Sequence, residues 1–333
     1  MIKVGLVGYG LAGSVFHAPL IASVPELELA SVVTRREAPR LPTVASVDEL
    51  LRDVSIDLVV IASPSALHFA HAKAAMLAGK HVVVDKPLAT TSQEAEELIA
   101  LALKQKRILT VFQNRRWDGD FLTVKRILPS LGKVYFFEAH FDRFRPQIKN
   151  GWREVPGAGG GILYDLGAHL IDQALCLFGV PLAVTADVLS QRPEAHVDDY
   201  FHLVLDYGAR RAILHASTLA AAPGYHFIVH GDAGSFLKSG MDSQEDALKR
   251  GVRPGDPSWG LDPPQNYGEF TGGSGERRQI ITERGCYEHF YSSLVECIRH
   301  GAPAPVDPRE SRDGLRMIEA ALLSAHEHRT VYL

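Results

Sequence analysis

The chain is poor in cysteine and has no long apolar run. Cys176, Cys286 and Cys297 are the only cysteines in 333 residues. They form no C-x-x-C pair and no Cys/His zinc spacing, so neither a disulfide framework nor a metal site is expected. Their apolar neighbours predict buried thiols and a reducing, cytoplasmic setting. No stretch approaches the roughly 20 apolar residues of a membrane span, so no membrane partner is expected. Basic excess is lacking too: 35 Lys and Arg face 39 Asp and Glu, a net charge of −4. Without a basic stripe, nucleic acid is not an expected partner, and a pair such as Arg35-Arg36 does not change that. A strand pattern starts at residue 2, which leaves no place for a signal peptide. Internal repeats and low-complexity tracts are absent. What remains is a globular composition, 46% hydrophobic and 22% charged, long enough for two domains.

Residues 2–13 read IKVGLVGYGLAG. Ile2 to Val7 has the pattern of a buried parallel strand. Gly8-Tyr9-Gly10-Leu11-Ala12-Gly13 is then a G-x-G-x-x-G opening a helix. In that context Gly8 permits a tight turn and Gly10 lets a pyrophosphate approach the backbone. Gly13 lets the helix pack closely on the strand, with its first N–H groups aimed at the phosphates. An ordinary glycine-rich turn is the alternative. Strands are predicted at 2–7, 27–33, 57–62, 81–84 and 108–112, with helices near 12–23, 46–52, 66–78 and 92–105. Ser46 before Val47-Asp48-Glu49 reads as an N-cap with a capping box. Gly79 reads as a helix-ending glycine, and Thr91 or Ser92 opens the fourth helix ahead of Glu94. This alternation implies a parallel sheet covered on both faces, with ligands at the carboxyl ends of its strands.

The pattern changes after residue 116. A helix is predicted over 118–130, then a long strand from Lys133 to Phe144. Gly157, Gly159, Gly160 and Gly161 lead into a helix over 162–178, followed by strands near 183–191, 200–206, 211–218 and 225–230. Asp206-Tyr207-Gly208-Ala209 is a turn signal, so these strands read as antiparallel. Residues 239–279, rich in Gly, Pro, Asp and Ser with a helical turn at 243–250, read as a lid, a partner contact or a mobile loop. A last amphipathic helix over 309–327 is placed to pack back on the first domain. The fold class is an α/β Rossmann domain with a doubly wound parallel sheet, residues 1–118. An α+β domain with a mostly antiparallel sheet follows, residues 119–333.

Three motifs together resemble the Gfo/Idh/MocA oxidoreductases: the Gly8–Gly13 turn, Asp85-Lys86-Pro87, and Gly159-Gly160-Gly161 ahead of Asp165-Leu166-Gly167-Ala168-His169. The likeness runs through the whole chain in order. Phe16-His17-Ala18-Pro19, Asn114-Arg115-Arg116-Trp117-Asp118 and His140-Phe141-Asp142-Arg143-Phe144-Arg145-Pro146 are similar to the NADP-dependent scyllo-inositol 2-dehydrogenase group of that family. The resemblance implies an open sheet in the second domain whose exposed face builds a homodimer or homotetramer. It also implies hydride transfer between a nicotinamide and a secondary alcohol or ketone of a small cyclic polyol or sugar, with a scyllo-inositol/inosose pair foremost. Other sugars, a non-catalytic nucleotide sensor and a redox-neutral glycosidase are the competing readings.

Such a reaction needs a base for the hydroxyl proton and positive charge beside the reacting oxygen. Asp165 and His169, four apart on a helix, share a face; His169 is read as the base, and a surface ion pair is the plain alternative. Gly161 just before that helix is read as allowing close approach of cofactor or substrate. The resemblance assigns Lys86 to the reacting oxygen and the nicotinamide, with a Lys86–Pro87 bond that is often cis. Asp85 stands where the commoner family motif has Glu. NAD enzymes place a carboxylate at the end of the second strand; here stand Thr34, Arg35 and Arg36, which suit a 2′-phosphate and favour NADP. Glu37 keeps NAD open. Ser63, Pro64 and His68 are implied to line the pyrophosphate and ribose, Asn114 to touch cofactor and substrate, and Trp152 and Arg153 to meet the nicotinamide edge. Arg116, Trp117, Arg143, Arg145, Tyr164 and Asp172 are available to polyol hydroxyls; Arg143 and Arg145, read as sharing one strand face, serve equally as inter-subunit ion pairs.

Overall fold

The computed structural model describes residues 1–35, 41–148, 151–157, 159–222 and 224–333, the side chain of Trp152 excepted. Arg36 and Glu37 lie outside the described residues. Two compact units are present: 1–117 with 244–260 and 286–312, and 118–243 with 261–285 and 313–333.

The first unit is built on a six-stranded parallel sheet. Its strands are β1 (Ile2–Val7), β2 (Leu27–Val33), β3 (Thr43–Val44), β4 (Leu58–Ile61), β5 (His81–Asp85) and β6 (Leu109–Phe112), in the order β3-β2-β1-β4-β5-β6. The order reverses between β1 and β4, and in open α/β sheets ligands sit at that crevice, outside the carboxyl ends. The central strands are buried on both faces: Val4, Leu6, Leu58 to Ile61 and Val82 to Val84 have no exposed surface. Full burial of such side chains contributes about 1.5–3 kcal/mol each. Helices α1 (Ala18–Ala22), α2 (Val47–Arg52), α3 (His68–Leu77) and α4 (Ser92–Gln105) alternate with the strands. Ser46 Oγ accepts the Glu49 N–H, and the Glu49 carboxylate accepts the N–H of Ala45. Thr91, not Ser92, caps α4, its Oγ accepting the Glu94 N–H.

The second unit carries α5 (Gly119–Ile127) and a nine-stranded sheet. Its strands are β7 (Val134–His140), β8 (Ala183–Leu189), β9 (Tyr200–Tyr207), β10 (Arg210–Ser217), β11 (Phe227–Gly231), β12 (Gly234–Lys238), β13 (Gly268–Gly272), β14 (Arg277–Ile280) and β15 (Val331–Tyr332). The order is β14-β13-β12-β11-β7-β10-β9-β8-β15. Neighbours are antiparallel except β7 and β10, which run parallel. One face is buried through Phe137, Ala139, Leu203, Leu205, Ala212 and Leu214, and the alternate residues Glu138, His140, Val204 and Ile213 are half-exposed. The helix running from Leu163 into α6 (Ala168–Phe178) also belongs to this unit.

Several expectations are corrected here. Residues 239–279 are not one loop. The helical turn expected at 243–250 is α7 (Gln244–Lys249), within the first unit, and the later residues supply β13 and lead into β14. The strand expected to reach Phe144 ends at His140, so Arg143 and Arg145 are not strand residues; their N–H groups instead bond the carbonyls of Ser217 and Thr218. Cys297 is buried, but Cys286 is half-buried and Cys176 exposed. The helix α8 (Glu288–His300) lies in the first unit, and α9 (Pro308–Glu327) begins in the first unit and continues in the second.

Candidate active site

Parallel strands that share a sheet end on the same edge, so the first unit gathers its expected cofactor residues by topology. Thr34 and Arg35 follow β2, Gly8 to Gly13 follow β1, Ser63 and Pro64 follow β4, Asp85 closes β5 ahead of Lys86, and Asn114 follows β6. These five strands are consecutive in the sheet.

The β1 turn is shaped by exclusion. Gly8 has φ +98°, and a Cβ there would come within 2.6 Å of the Ala62 carbonyl. A Cβ on Gly13 would overlap the carbonyl of Gly8, so only glycine lets this helix start so close to the turn. A Cβ on Gly10, by contrast, meets open space. The next turn, Ala12–His17, is π-helical, as is Leu163–Gly167 in the second unit. Such turns are rare and frequent at functional sites. Tyr9 is half-buried and Leu11 exposed.

At the end of β5 the Lys86–Pro87 peptide is cis, as the resemblance implied. The Lys86 N–H donates to Asp85 Oδ1 at 3.0 Å. Beneath this turn lies His17, fully buried, with Nε2 3.9 Å from Asp85 Oδ1 and Nδ1 2.6 Å from the Tyr291 hydroxyl. Burial drives the His17 pKa down to about 4; Asp85 opposes the fall and His68 adds to it. The ring is therefore neutral near pH 7. An N–H on Nε2, facing the Asp85 carboxylate, is the favoured tautomer and leaves Nδ1 to accept from Tyr291 O–H. Burial likewise pushes the Tyr291 hydroxyl up, with Asp85 acting in the same direction. His17 belongs to a motif quoted from the sequence, yet its role beneath Asp85 was not read there. A buried histidine two positions before a helical proline carries no period-based signal.

His68 is also buried, and both ring nitrogens reach main-chain carbonyls: Nδ1 to Pro87 O at 2.7 Å and Nε2 to Ser63 O at 2.8 Å. It ties the loop after β4 to the Lys86-Pro87 turn. Ser63 Oγ pairs with His71 Nδ1 at 3.1 Å, and Pro64 is exposed. Asn114 and Arg115 are buried in a 3₁₀ turn. Arg115 pairs with Glu245 at 2.8 Å, Arg116 with Glu310 at 2.6 Å, and the Trp117 ring stands edge-on to Phe290 at 5.7 Å. Thr34 is half-buried and Arg35 exposed.

In the second unit, Asp165 lies in the π-turn and His169 on the first turn of α6, buried. Arg153 Nε donates to Asp165 Oδ1 at 3.1 Å. Tyr164 is half-buried and Asp172 buried. The Arg143 guanidinium stacks 4.5 Å from the Phe141 ring, and Arg145 is exposed. Trp152 falls among the undescribed side chains.

Gly161, with φ +85°, does not open space for a ligand. The place of its Cβ is filled by the Asp198 carboxylate, whose Oδ2 accepts the Leu163 N–H at 2.7 Å. Burial raises the Asp198 pKa to about 6 against the lowering effect of that N–H. Asp198 thus satisfies an N–H at the start of the helix that carries Asp165 and His169. No local pattern joins Asp198 to position 163, so sequence spacing does not reveal the contact.

Comparison with known proteins agrees with this arrangement. The profile described as oxidoreductase family, NAD-binding Rossmann fold, matches residues 2–113, and that of the oxidoreductase family C-terminal alpha/beta domain matches residues 125–333. The chain is 43% identical to a scyllo-inositol 2-dehydrogenase (NADP(+)) of Bacillus subtilis, over 100% of this chain and 96% of that protein. It is 45% identical to an uncharacterized oxidoreductase of Escherichia coli, over 100% and 99%. A solved oxidoreductase structure from Bacillus subtilis superposes with a TM-score of 0.97 at 43% identity, covering 100% of this chain and 98% of that one. With a six-stranded dinucleotide sheet, a second mixed sheet and matches along both, the chain belongs to the Gfo/Idh/MocA oxidoreductases.

Proposed function

We propose that the protein is an NADP-dependent dehydrogenase of a cyclic polyol, scyllo-inositol foremost, or a reductase of the matching inosose. The observation that carries this reading is the row of β2, β1, β4, β5 and β6 ends, which sets a glycine turn, a hydroxyl with a guanidinium, and a lysine along one crevice edge. The dinucleotide fits that edge: Gly10 leaves open space where a phosphate would approach, beside a turn a Cβ would fill. Thr34 and Arg35 offer a hydroxyl and a fixed positive charge in place of the carboxylate that would repel a 2′-phosphate. The full-length likeness to an NADP(+) enzyme supports the same choice.

When bound, the cofactor supplies the two-electron acceptor for oxidation. His169 takes the hydroxyl proton in that direction and returns it in reduction. The Lys86 ammonium stabilises negative charge developing on the reacting oxygen. Asp165, held by Arg153, orients the imidazole or a substrate hydroxyl. Tyr164, Arg143, Arg145, Asn114, Arg116 and Trp117 complete the polyol contacts. Homodimers or homotetramers through the half-exposed sheet face are part of this reading, and light scattering measures them. The test of function is nicotinamide turnover with scyllo-inositol, inososes and keto-sugars. His169→Ala should abolish turnover while nucleotide affinity is kept; equal loss of both would mark a structural role. Tight nucleotide binding with no turnover on any substrate would favour a sensor.

A further inference from the structure

The parallel register of β7 and β10 sets His215 directly beside His140 on the half-exposed face of the second unit's sheet. Their rings are 5.1 Å apart. Asp142, just past the end of β7, places its carboxylate against both. His140 Nδ1 is 3.4 Å from Asp142 Oδ2, and His215 Nε2 is 3.4 Å from Asp142 Oδ1. One donor atom from each residue lies within 4.8 Å of the other two. From these positions we propose a divalent transition-metal site, of the Zn²⁺ class, formed by His140, Asp142 and His215.

Distance is the first argument. Charge-assisted N–H···O bonds close to about 2.7–2.9 Å, and neither contact does. Two ligands of a tetrahedral ion, each about 2.0–2.2 Å from it, stand roughly 3.4 Å apart; since the two imidazoles meet different Asp142 oxygens, the carboxylate would hold one ion through both of them. Charge is the second. His140 Nε2 is 2.6 Å from Glu138 Oε1, so this one imidazole faces a carboxylate at each nitrogen. A neutral ring has one N–H and can serve only one of them. Glu138 and Asp142 set two carboxylates against this one imidazole in a half-buried cluster, and a divalent cation in place of a ring proton would balance them. Outer contacts are the third. Glu138 holds the far nitrogen of His140 as a carboxylate–histidine–metal relay does, and the Ser217 N–H donates to Asp142 Oδ1 at 3.1 Å. Two imidazoles and one carboxylate suit Zn²⁺ and its first-row neighbours better than Mg²⁺ or Ca²⁺.

The site has room for an exchangeable ligand. His140 and Asp142 also line a cavity of about 380 Å³, together with Tyr225, His226, Ser239 and Met241. Two of the three ligands, His140 and Asp142, border this open volume, which suits a site that keeps a free coordination position. Nothing in the proposed polyol chemistry uses these residues.

The experiment is Zn²⁺ titration of the full-length, chelator-treated protein by calorimetry, with Co²⁺ as an optical probe. Wild type should bind one Zn²⁺ per chain, and Co²⁺ should give the visible bands of a nitrogen–oxygen site at the same stoichiometry. His215→Gln and Asp142→Asn should each weaken Zn²⁺ by about 100-fold or more. Glu138→Gln, which leaves every ligand in place, should weaken it by about 10–100-fold. Should the ligand variants misfold, the wild-type Co²⁺ spectrum still decides. Absence of binding at millimolar Zn²⁺, a featureless Co²⁺ spectrum, or equal affinity in folded ligand variants overturns the proposal.

Discussion

His17 is a buried base whose neutrality the fold enforces, and that gives a signed prediction. The perturbation is acidification, with His17→Gln as the reference that cannot titrate. Moving a histidine from 6.5 to about 4 means that its proton is held about 3 kcal/mol more weakly in the folded chain. Between these two values the unfolded chain binds more protons than the folded one, so stability rises with pH across that window. The contribution is fully present above about pH 6.5 and is lost as pH falls toward about 4. Urea unfolding of the wild type and of His17→Gln, followed by circular dichroism across that window, measures it. Other groups titrate in both proteins, so the difference between the two curves isolates His17. The wild type should lose about 3 kcal/mol relative to the variant on going from pH 7 to pH 4. Gln at this position can still accept from Tyr291 O–H, so the neutral baseline survives. A difference that stays flat with pH, or a folded-state imidazole that titrates near 6.5 by NMR, would refute the reasoning.

Three further outcomes follow from named contacts. Arg35→Ala should weaken NADP by about tenfold or more, the worth of one charge-assisted bond, and leave NAD almost unchanged; nucleotide titrations that fall equally would remove the phosphate contact. Lys238, fully buried, donates to Asp262 at 2.9 Å and to the Ser239 carbonyl at 2.7 Å, so Lys238→Met should cost about 3–5 kcal/mol. Lys238→Met with Asp262→Leu should recover part of that loss, as read from unfolding midpoints. Asp198 has its pKa raised to about 6, so its sign is opposite to that of His17: the folded chain binds the extra proton, and stability declines as pH rises through about 4 to 6. Asp198→Asn, which keeps an acceptor for Leu163, should lose that decline; a variant as pH-sensitive as the wild type would contradict it.

The first unit was legible because its signals are local. A glycine turn after an apolar run, a Ser46 cap with Glu49 three residues on, and apolar strands bounded by turns each specify structure within a few residues. The second sheet was legible only in its middle. β14 is the edge strand and β13 lies next to it, with Phe270 and Ile280 as their buried apolar residues and Gly268 and Gly272 at other inward positions, so the alternation that marks a half-buried strand is nearly silent. α8, with Phe290, Tyr291, Leu294 and Val295 on one stripe, did carry a helical signal that the turn-rich segment before it obscured. At the candidate site, the Lys86-Pro87 turn and the Asp165/His169 helix could be found by motif. The groups beneath them could not. His17 meets Asp85 and Tyr291, and Asp198 fills the space beside Gly161, through contacts set by tertiary packing. The His140–His215 pairing likewise depends on strand register, which no spacing along the chain reveals.

The central claim is tested most directly by following nicotinamide absorbance as NADP⁺ and scyllo-inositol are mixed with wild type and with Lys86→Ala. The wild type should reduce NADP⁺. The variant should still bind the nucleotide but lose about 100-fold or more in turnover, the range for removing a group that stabilises developing oxyanion charge. A wild type that binds NADP⁺ yet turns over no polyol or keto-sugar in either direction, or a Lys86→Ala protein that turns over normally, would contradict the account.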